Sequence, residues 1–191
     1  MKMIDKDSFK EIESHLKDED SRREEVINTA RTILKNSKSA IYSLHRKDPD
    51  AAKTLIDESK LLIDKLTPII SKHPHMKYSL DSAIEEYCEA CCFYAFVTER
   101  KIPTHKDLNV DPFTYLAGLS DLTGELGRKS VLEAIAKNKD EVHHIRELVD
   151  EIHGLFVKLD LRNGELRKKA DSIKWNLNKI EEVLHDVHKR E

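Results

Sequence analysis

The sequence predicts an all-α protein, and three observations support that fold class. Five glycines and five prolines in 191 residues provide few of the turns that a β-sandwich or barrel of this size needs. Charged residues make up 36% and hydrophobic residues 39%, a balance typical of amphipathic helices with narrow apolar stripes. The segment from Asp5 to Lys47 contains neither glycine nor proline, and its apolar residues recur at helical spacing.

The first helix is predicted over about Asp5 to Lys47, a rod of roughly 60 Å, unless the charged run KDEDSRR breaks it. Asp48 and Pro49 have the residue types preferred at a helix N-cap and in its first turn, so a second helix begins there. It extends to about Lys72, with a bend expected at Pro68. The buried face of the first helix is expected to be Val26, Ala30, Ile33, Ser37, Ala40 and Leu44.

Capping residues also mark the later elements. Thr104 with Asp107 resembles a capping box, and Asp111 precedes Pro112 as Asp48 precedes Pro49. Together with the two elements above, about seven helices and no strands are predicted, in a single domain over residues 1–191. The expected later elements are a helix from Ser79 to about Lys101, a short one from Thr104, one from Asp111, one from Asn138 to about Leu159, and one from Asn163-Gly164 to about Lys189.

Charge and hydropathy exclude several classes of protein. The net charge of −3 gives no overall basic field for nucleic-acid binding, although a basic lining on one surface would not appear in that sum. The start MKMIDKDSFK has no apolar core of a signal peptide, and the run ACCFYAFV is too short to cross a bilayer. We therefore expect a soluble, cytoplasmic protein without a membrane partner. The clustered Cys88, Cys91 and Cys92 are expected to be buried free thiols.

Two acidic residues on the predicted third helix, Glu86 and Glu89, lie beside its apolar stripe. Within one further turn the helix becomes apolar almost all round, so Glu89 is expected at the edge of the core. A carboxylate in such a position needs a neighbouring cation, or else its pKa rises until it is protonated.

Asp121 and Glu125 flank the leucine stripe of the next long helix in a similar way. Two helices thus each offer two carboxylates on one face, at i,i+3 and i,i+4 spacing. If packing brings the four together, a hard divalent cation offsets their repulsion, and oxygen-only ligation favours Mg²⁺ or Mn²⁺ over zinc. The alternative, which spacing alone favours, is a solvated acidic face in which Glu125 pairs with Arg128 and Lys129.

The sequence around these acids resembles a known family. YLAGLSDLTGELGRKSV is similar to the signature of translin-associated factor X (TRAX), which has a D-L-T-G-E-L-x-R core, and EEYCEACCF is similar to that family's E-Y-x-E-A-x-x-F segment. SKSAIYSLHR and LDLRNGELRKKADSIKWNLNKIEEVLHDV agree as well, in the same order along most of the chain. The sequence departs from the pattern at Gly127, where the family usually has a large apolar residue, and it lacks the basic N-terminal tail of eukaryotic TRAX.

The resemblance implies a seven-helix translin-like fold and metal-dependent endoribonuclease activity, with Mg²⁺ or, in its place, Mn²⁺. It implies RNA, single-stranded or duplex, as the substrate, and a homo-oligomer, for which we expect a closed octameric shell. The family's acids fall on Glu86, Glu89, Asp121 and Glu125, which are therefore the implied catalytic and metal-binding residues. We expect the first three to be direct ligands, and Glu125 to be a fourth ligand or a group that orients the attacking water.

Three residues near these acids are candidates for RNA contact. Lys77 could meet a phosphate, Tyr78 could stack on a base or ribose, and Arg128 lies on much the same helix face as Asp121. Each also has a structural alternative: a solvated lysine, an interface tyrosine and, as the more favoured role of Arg128, a counter-ion for the carboxylates.

Other functions remain open from the sequence. A translin-like protein could bind RNA or single-stranded DNA without cleaving it, although an acidic cluster does not help such a binder. A di-iron centre would use Glu-x-x-His pairs, and the chain has that spacing at Glu141/His144 and Glu182/His185. A helical scaffold for protein partners would predict no RNA retention at all.

Overall fold

The computed structural model describes residues 4–189, and this part of the chain forms seven α-helices, one 3₁₀ turn and no strand. The all-α prediction is confirmed, and the predicted starts and ends of the helices agree to within about two residues. The helices are α1 (Lys6–His45), α2 (Pro49–Lys72), α3 (Tyr78–Glu99), α4 (His105–Leu108), α5 (Pro112–Ile135), α6 (Lys139–Val157) and α7 (Glu165–Lys189), with the 3₁₀ turn at Pro74–Met76 between α2 and α3.

Helix α1 is unbroken across the charged run that the sequence offered as a break. All six residues of its predicted stripe are buried, the first of them being Val26. Residues 6–18 are exposed throughout, so this part of α1, called here the arm, extends beyond the core. The arm takes up about a third of the longest helix, and the core begins about halfway along it, at Val26.

Side-chain caps start the later helices as the sequence predicts. Asp48 accepts a hydrogen bond from the backbone N–H of Ala51 at 3.0 Å, and Asp111 accepts from the N–H of Thr114 at 3.1 Å. Thr104 and Asp107 form the reciprocal capping box of α4. Helix α2 continues as one helix through Pro68 to Lys72.

Helix α3 is the central element of the fold. It packs against α1 on one side and α5 on the other, while α7 packs against α5 and α6. One connected hydrophobic core includes Ile33 of α1, Phe93 of α3, Leu122 of α5 and Ile173 of α7. The three cysteines of α3 are buried free thiols, as predicted.

None of the helices formed by residues 4–189 combines the length and apolar character that crossing a membrane requires.

Candidate active site

The predicted acids lie on α3 and α5, two helices that come into close contact at Gly118. Gly118 of α5 lies so near α3 that a β-carbon there would be 2.8 Å from the backbone oxygen of Glu85 and 2.9 Å from Cβ of Cys88. Only glycine fits at this contact. Asp121 and Glu89 lie within about one turn of this contact on their own helices, so the close approach of α3 and α5 brings the two acidic faces near each other.

Glu89 is the buried member of the group, with 6% of its surface exposed. Burial, and secondly the negative charges of Glu86, Asp121 and Glu125, raise the pKa of Glu89 to about 8, against a small opposing effect of Lys169. No residue of the described chain donates a hydrogen bond or ion pair to this carboxylate. The expected burial of Glu89 is confirmed, and of the two alternatives for such a carboxylate, a neighbouring cation or a raised pKa, the structure has the raised pKa.

Glu86 lies nearer to solvent than Glu89, with 21% of its side chain exposed. Its nearest cation is Lys38 of α1, whose Nζ is 3.9 Å from a carboxylate oxygen. Burial raises the pKa of Glu86, and the carboxylates of Asp121 and Glu125 add to that rise, while Lys38 opposes it. Glu86 and Glu89 thus each lie near enough to Asp121 and Glu125 for those carboxylates to raise their pKa.

A lysine from the last helix neutralises part of the group. The Nζ of Lys169 on α7 forms an ion pair with Asp121 and a second one, at 3.1 Å, with Glu85. Burial lowers the pKa of Lys169, but its bonds to Asp121 and Glu85 outweigh that effect, so the pKa is raised and the ammonium stays charged. Lys169 and Glu85 are thus members of the site that the sequence did not single out.

Glu125 is held by a histidine from α1. The Nε2 of His45 lies 2.5 Å from a Glu125 oxygen, and the hydrogen bond is the main cause of the lowered pKa of Glu125. The His45 ring packs on Phe93 at 5.0 Å between centroids, and its buried Nδ1 has no partner within residues 4–189. Arg128 lies 3.8 Å from the same carboxylate, whereas Lys129 pairs elsewhere, with Glu133 and Glu141.

The four carboxylates are oxygen donors of the kind that hard cations prefer, but their oxygens lie too far apart in this structure to share one ion. In the part of the chain from residue 4 to 189, no three of the four predicted carboxylates have ligand atoms within 4.8 Å of one another. The donor set is nevertheless all oxygen, and Glu89 carries a carboxylate that lacks a bonded cation of its own. These residues fit Mg²⁺ or Mn²⁺, provided that Asp121 exchanges its bond to Lys169 for one to the ion.

The candidates for RNA contact differ in how free their side chains are. Lys77 precedes the first residue of α3 and already pairs with Asp81 at 2.7 Å and Asp111 at 3.5 Å. Tyr78 is exposed and free to stack, while Arg128 has the counter-ion position beside Glu125 that the sequence favoured. Lys77 and Tyr78 lie at the far end of α3, about 12 Å along the helix from Glu86.

A row of exposed residues on α1 offers a second surface for an anionic chain. We call it the basic stripe; its residues recur every three or four positions on one helix face, and they are Arg31, Lys35, Lys38, Tyr42 and Arg46. Arg46 lies over the Tyr42 ring at 5.7 Å, and Lys38 reaches Glu86. The spacing was visible in the sequence, but a net charge of −3 conceals a local basic face.

The two Glu-x-x-His pairs do not assemble into a di-iron site. Glu141 is bound by Arg100 through two contacts, at 2.6 and 2.9 Å, which occupy both of its oxygens. Glu182 and His185 are exposed on α7. Neither pair belongs to a group of three metal-ligating side chains in the described part of the chain.

Comparisons with known proteins agree with the resemblance. The family model described as Translin family matches residues 21–191. The chain is 29% identical to the uncharacterized protein MJ0175 of Methanocaldococcus jannaschii over 178 residues, which cover 91% of this chain and 79% of that protein. It is 35% identical to translin of Homo sapiens over 82 residues, 43% of this chain and 36% of translin. Identity to translin-associated protein X of Rattus norvegicus is 22%, over 96% of this chain and 78% of that protein.

Solved structures share the fold. The crystal structure of apo-NeC3PO superposes with a TM-score of 0.89 at 26% identity, over 94% of this chain and 96% of that one. The structure of AfC3PO in complex with duplex RNA superposes with a TM-score of 0.87 at 20% identity, over 96% and 97% of the two chains, a level of identity that shows the fold alone.

Proposed function

Since this chain belongs to the Translin family, we propose that it is a metal-dependent endoribonuclease that cleaves RNA at the carboxylates of α3 and α5. One observation carries the proposal. Glu89 is buried beside Glu86, Asp121 and Glu125 without a bonded cation, so its ionised form is destabilised and its pKa is raised to about 8. A divalent cation bound there would favour the carboxylate again. A buried carboxylate with a raised pKa in a charged cluster is typical of a functional site rather than a structural one.

The proposed ligands are Glu86, Glu89 and Asp121, with Glu125 as a fourth ligand or as a group that orients water. Mg²⁺ or Mn²⁺ held there would polarise a phosphoryl oxygen and lower the pKa of a water molecule. His45 fixes the orientation of Glu125 through a hydrogen bond, because the His45 ring is itself held by packing against Phe93. Lys169, once exchanged from Asp121, has its ammonium beside the site and can pair with the scissile phosphate.

RNA binding is proposed to use the basic stripe of α1. Arg31, Lys35 and Arg46 can contact phosphates at separate points along an RNA strand, and Tyr42 can stack on a base. Lys38 links the stripe to the carboxylates through Glu86. Lys77 and Tyr78 stay candidates for contact with a phosphate and with a base or ribose, and Arg128 stays the candidate counter-ion of the carboxylates. The duplex RNA in the AfC3PO complex, a protein of the same fold, supports RNA as the substrate class.

We further propose that the chain works as a homo-oligomer in the cytoplasm. Large apolar side chains are exposed on several helices of the single chain, among them Phe113, Ile135 and Trp175, each at least 70% exposed. Such residues commonly mark interfaces. A closed octamer would have a mass of about 177 kDa for chains of 22.1 kDa, which light scattering can test.

The test is RNA cleavage by the purified oligomer with Mg²⁺, Mn²⁺ or EDTA. We expect cleavage of a labelled RNA by the wild type with either ion, none in EDTA, and none by Asp121→Asn. Because asparagine keeps the shape but removes the charge that pairs with Lys169, circular dichroism and oligomer mass are measured alongside. Equal cleavage by wild type and Asp121→Asn would overturn the proposal.

A second candidate function is RNA or single-stranded DNA binding without cleavage. The ion pair between Lys169 and Asp121 favours it, because it already neutralises one predicted ligand. The two functions separate in one assay, since a pure binder retains RNA in EDTA and never shortens it. The basic stripe is tested in parallel with Lys35→Ala, which should weaken RNA retention, against Lys168→Ala, a lysine exposed on α7 beside Glu165.

A further inference from the structure

A second group of ligand-type side chains lies far from the carboxylates, where the arm of α1 leaves the body of the protein. Residues 4–18 are exposed, and Glu19 is the first partly buried residue of α1. It faces His73, which caps the end of α2, and His75, which lies in the 3₁₀ turn. The group thus joins the root of the arm to the connection between α2 and α3.

The geometry of the three side chains is that of a metal site. Glu19 offers one oxygen to Nδ1 of His73 at 3.0 Å and the other to Nε2 of His75 at 3.2 Å. All three ligand atoms lie within 4.8 Å of one another. Zinc bonds of about 2.0–2.1 Å to nitrogen or oxygen put tetrahedral ligands roughly 3.4 Å apart, so only small side-chain movements are needed.

The positions of the two histidines are fixed by the backbone. Pro74 stands between them and restricts the chain, and Met76, the last residue of the 3₁₀ turn, is buried. The ring centroids are 6.0 Å apart, the ring planes are nearly perpendicular, at 84°, and each ring has one nitrogen at the Glu19 carboxylate, which is their common point. His75 is mostly exposed, which leaves one side of that point open to a water molecule.

The donor types select the kind of ion. Two imidazole nitrogens and one carboxylate oxygen suit Zn²⁺ and disfavour Mg²⁺, which prefers oxygen. This site and the α3–α5 carboxylates would therefore hold different metals.

Arg22 would compete with a metal ion for the Glu19 carboxylate. Its Nη2 lies 3.3 Å from the Glu19 oxygen that faces His73, so a simple ion-pair cluster is the alternative. However, the buried Nε of Arg22 has no partner within residues 4–189, so the arginine is not fully satisfied where it lies. Displacement of Arg22 toward solvent would release the Glu19 oxygen for a metal.

We propose that Glu19, His73 and His75 bind Zn²⁺ and that the ion clamps the root of the arm to the turn between α2 and α3. The clamp would fix the direction in which the arm presents its exposed apolar residues Phe9, Ile12 and Leu16. It closes a link between segments 54 residues apart, and it is independent of RNA cleavage.

The experiment is calorimetric Zn²⁺ titration of the full-length protein after chelator treatment, with amide exchange of the arm measured with and without Zn²⁺. Asp121→Asn is titrated in parallel to recognise zinc that binds at the α3–α5 carboxylates. We expect this variant to retain one zinc per chain, and His73→Ala or Glu19→Gln to weaken that binding at least about tenfold. Arg22→Ala should strengthen it, because the competing cation is gone.

His143→Ala is the matched control, because His143 belongs to another histidine pair, with His188, at 5.4 Å between ring centroids. Its zinc binding should equal that of the wild type. The proposal is overturned if Asp121→Asn binds no zinc, if Glu19→Gln binds as tightly as the wild type, or if bound zinc leaves amide exchange at the root of the arm unchanged. Circular dichroism checks that each variant is folded. If His73→Ala does not fold, the expected increase in zinc affinity of Arg22→Ala still tests the proposal.

Discussion

Two regions of this protein bury carboxylates to the same extent but differ in whether those carboxylates have hydrogen-bonding partners. Glu89 between α3 and α5, and Glu133 and Glu141 between α5 and α6, are each 6% exposed. Glu133 accepts hydrogen bonds from Lys129 at 3.0 Å and Asn138 at 2.9 Å, and Glu141 binds Arg100 through both oxygens. Glu89 receives no such bond from the described residues, and its neighbours are other acids.

The difference appears in the direction of the pKa shifts. Burial raises the pKa of all three groups, but the bonds from Lys129 and Asn138 lower that of Glu133, and those from Arg100 and Lys129 lower that of Glu141. For Glu89, burial and neighbouring acids act in the same direction and raise the pKa to about 8. A compensated buried acid serves the fold, whereas an uncompensated one is available to an external cation.

The largest effect is expected for RNA cleavage. Glu89→Gln should reduce the rate with Mg²⁺ at least about 1,000-fold, because the amide cannot supply the negative charge that the metal requires. Glu133→Gln, a substitution at equal burial in the compensated region, should leave the rate per folded oligomer unchanged. A similar loss in both variants would show that the two regions do not differ in function.

Removing the compensating cation should have the next largest effect. Lys129→Met leaves Glu133 and Glu141 short of a partner they share, at 3.0 and 3.4 Å, and should lower the free energy of unfolding by about 3 kcal/mol. Denaturant unfolding measures this loss. Lys168→Met, which breaks the exposed pair with Glu165, should cost less than about 0.5 kcal/mol and serves as the control.

The two regions should change the stability of the protein in opposite directions as the pH rises. The folded pKa of Glu89 lies above the unfolded value of 4.5, so the folded chain binds more protons between pH 4.5 and about 8 and loses stability as the pH rises through that window. In EDTA, Glu89→Gln should remove about 2–3 kcal/mol of this decline between pH 5 and 8. An identical decline in the variant would contradict the raised pKa.

The compensated region gives the opposite control. The folded pKa of Glu133 is lowered, so its contribution is present above pH 4.5 and is lost as the pH falls below that value. Glu133→Gln should therefore change the profile at the acidic end and leave the slope between pH 5 and 8 as it is.

The smallest predicted effect on stability concerns two glycines of α5, one at the contact with α3 and one with free space around it. Gly118→Ala forces its β-carbon against α3 backbone and should lower the free energy of unfolding by about 1–2 kcal/mol and reduce cleavage by separating the acids. Gly127→Ala has space, with the nearest atom of Ile180 at 4.0 Å, and should stabilise α5 by up to about 1 kcal/mol. Equal effects of the two substitutions would mean that the close helix contact does not form.

The two acid regions also show how far the candidate site could be predicted. Helical spacing places Glu86/Glu89 and Asp121/Glu125 beside apolar stripes, and the burial of Glu89 follows from the apolar residues around it. Spacing alone favoured a solvated acidic face, and the family resemblance selected the four acids as site residues. Neither Lys169 nor His45 could be found in that way, since they lie 48 and 80 residues along the chain from the acids they bind. Helical spacing could also have revealed the basic stripe, but the net charge of the whole chain does not show a basic face on one helix.

The sequence by itself determined the helices, their caps and the faces they bury, because hydrogen bonding within a helix and its start signals are local. It also determined which residues bear carboxylates and on which helix faces they lie. Only the tertiary structure decided which cations meet which acids, because those contacts depend on how α1 and α7 pack against α3 and α5. The same holds for Glu19, His73 and His75, which share no local pattern and meet only because α1 passes the end of α2.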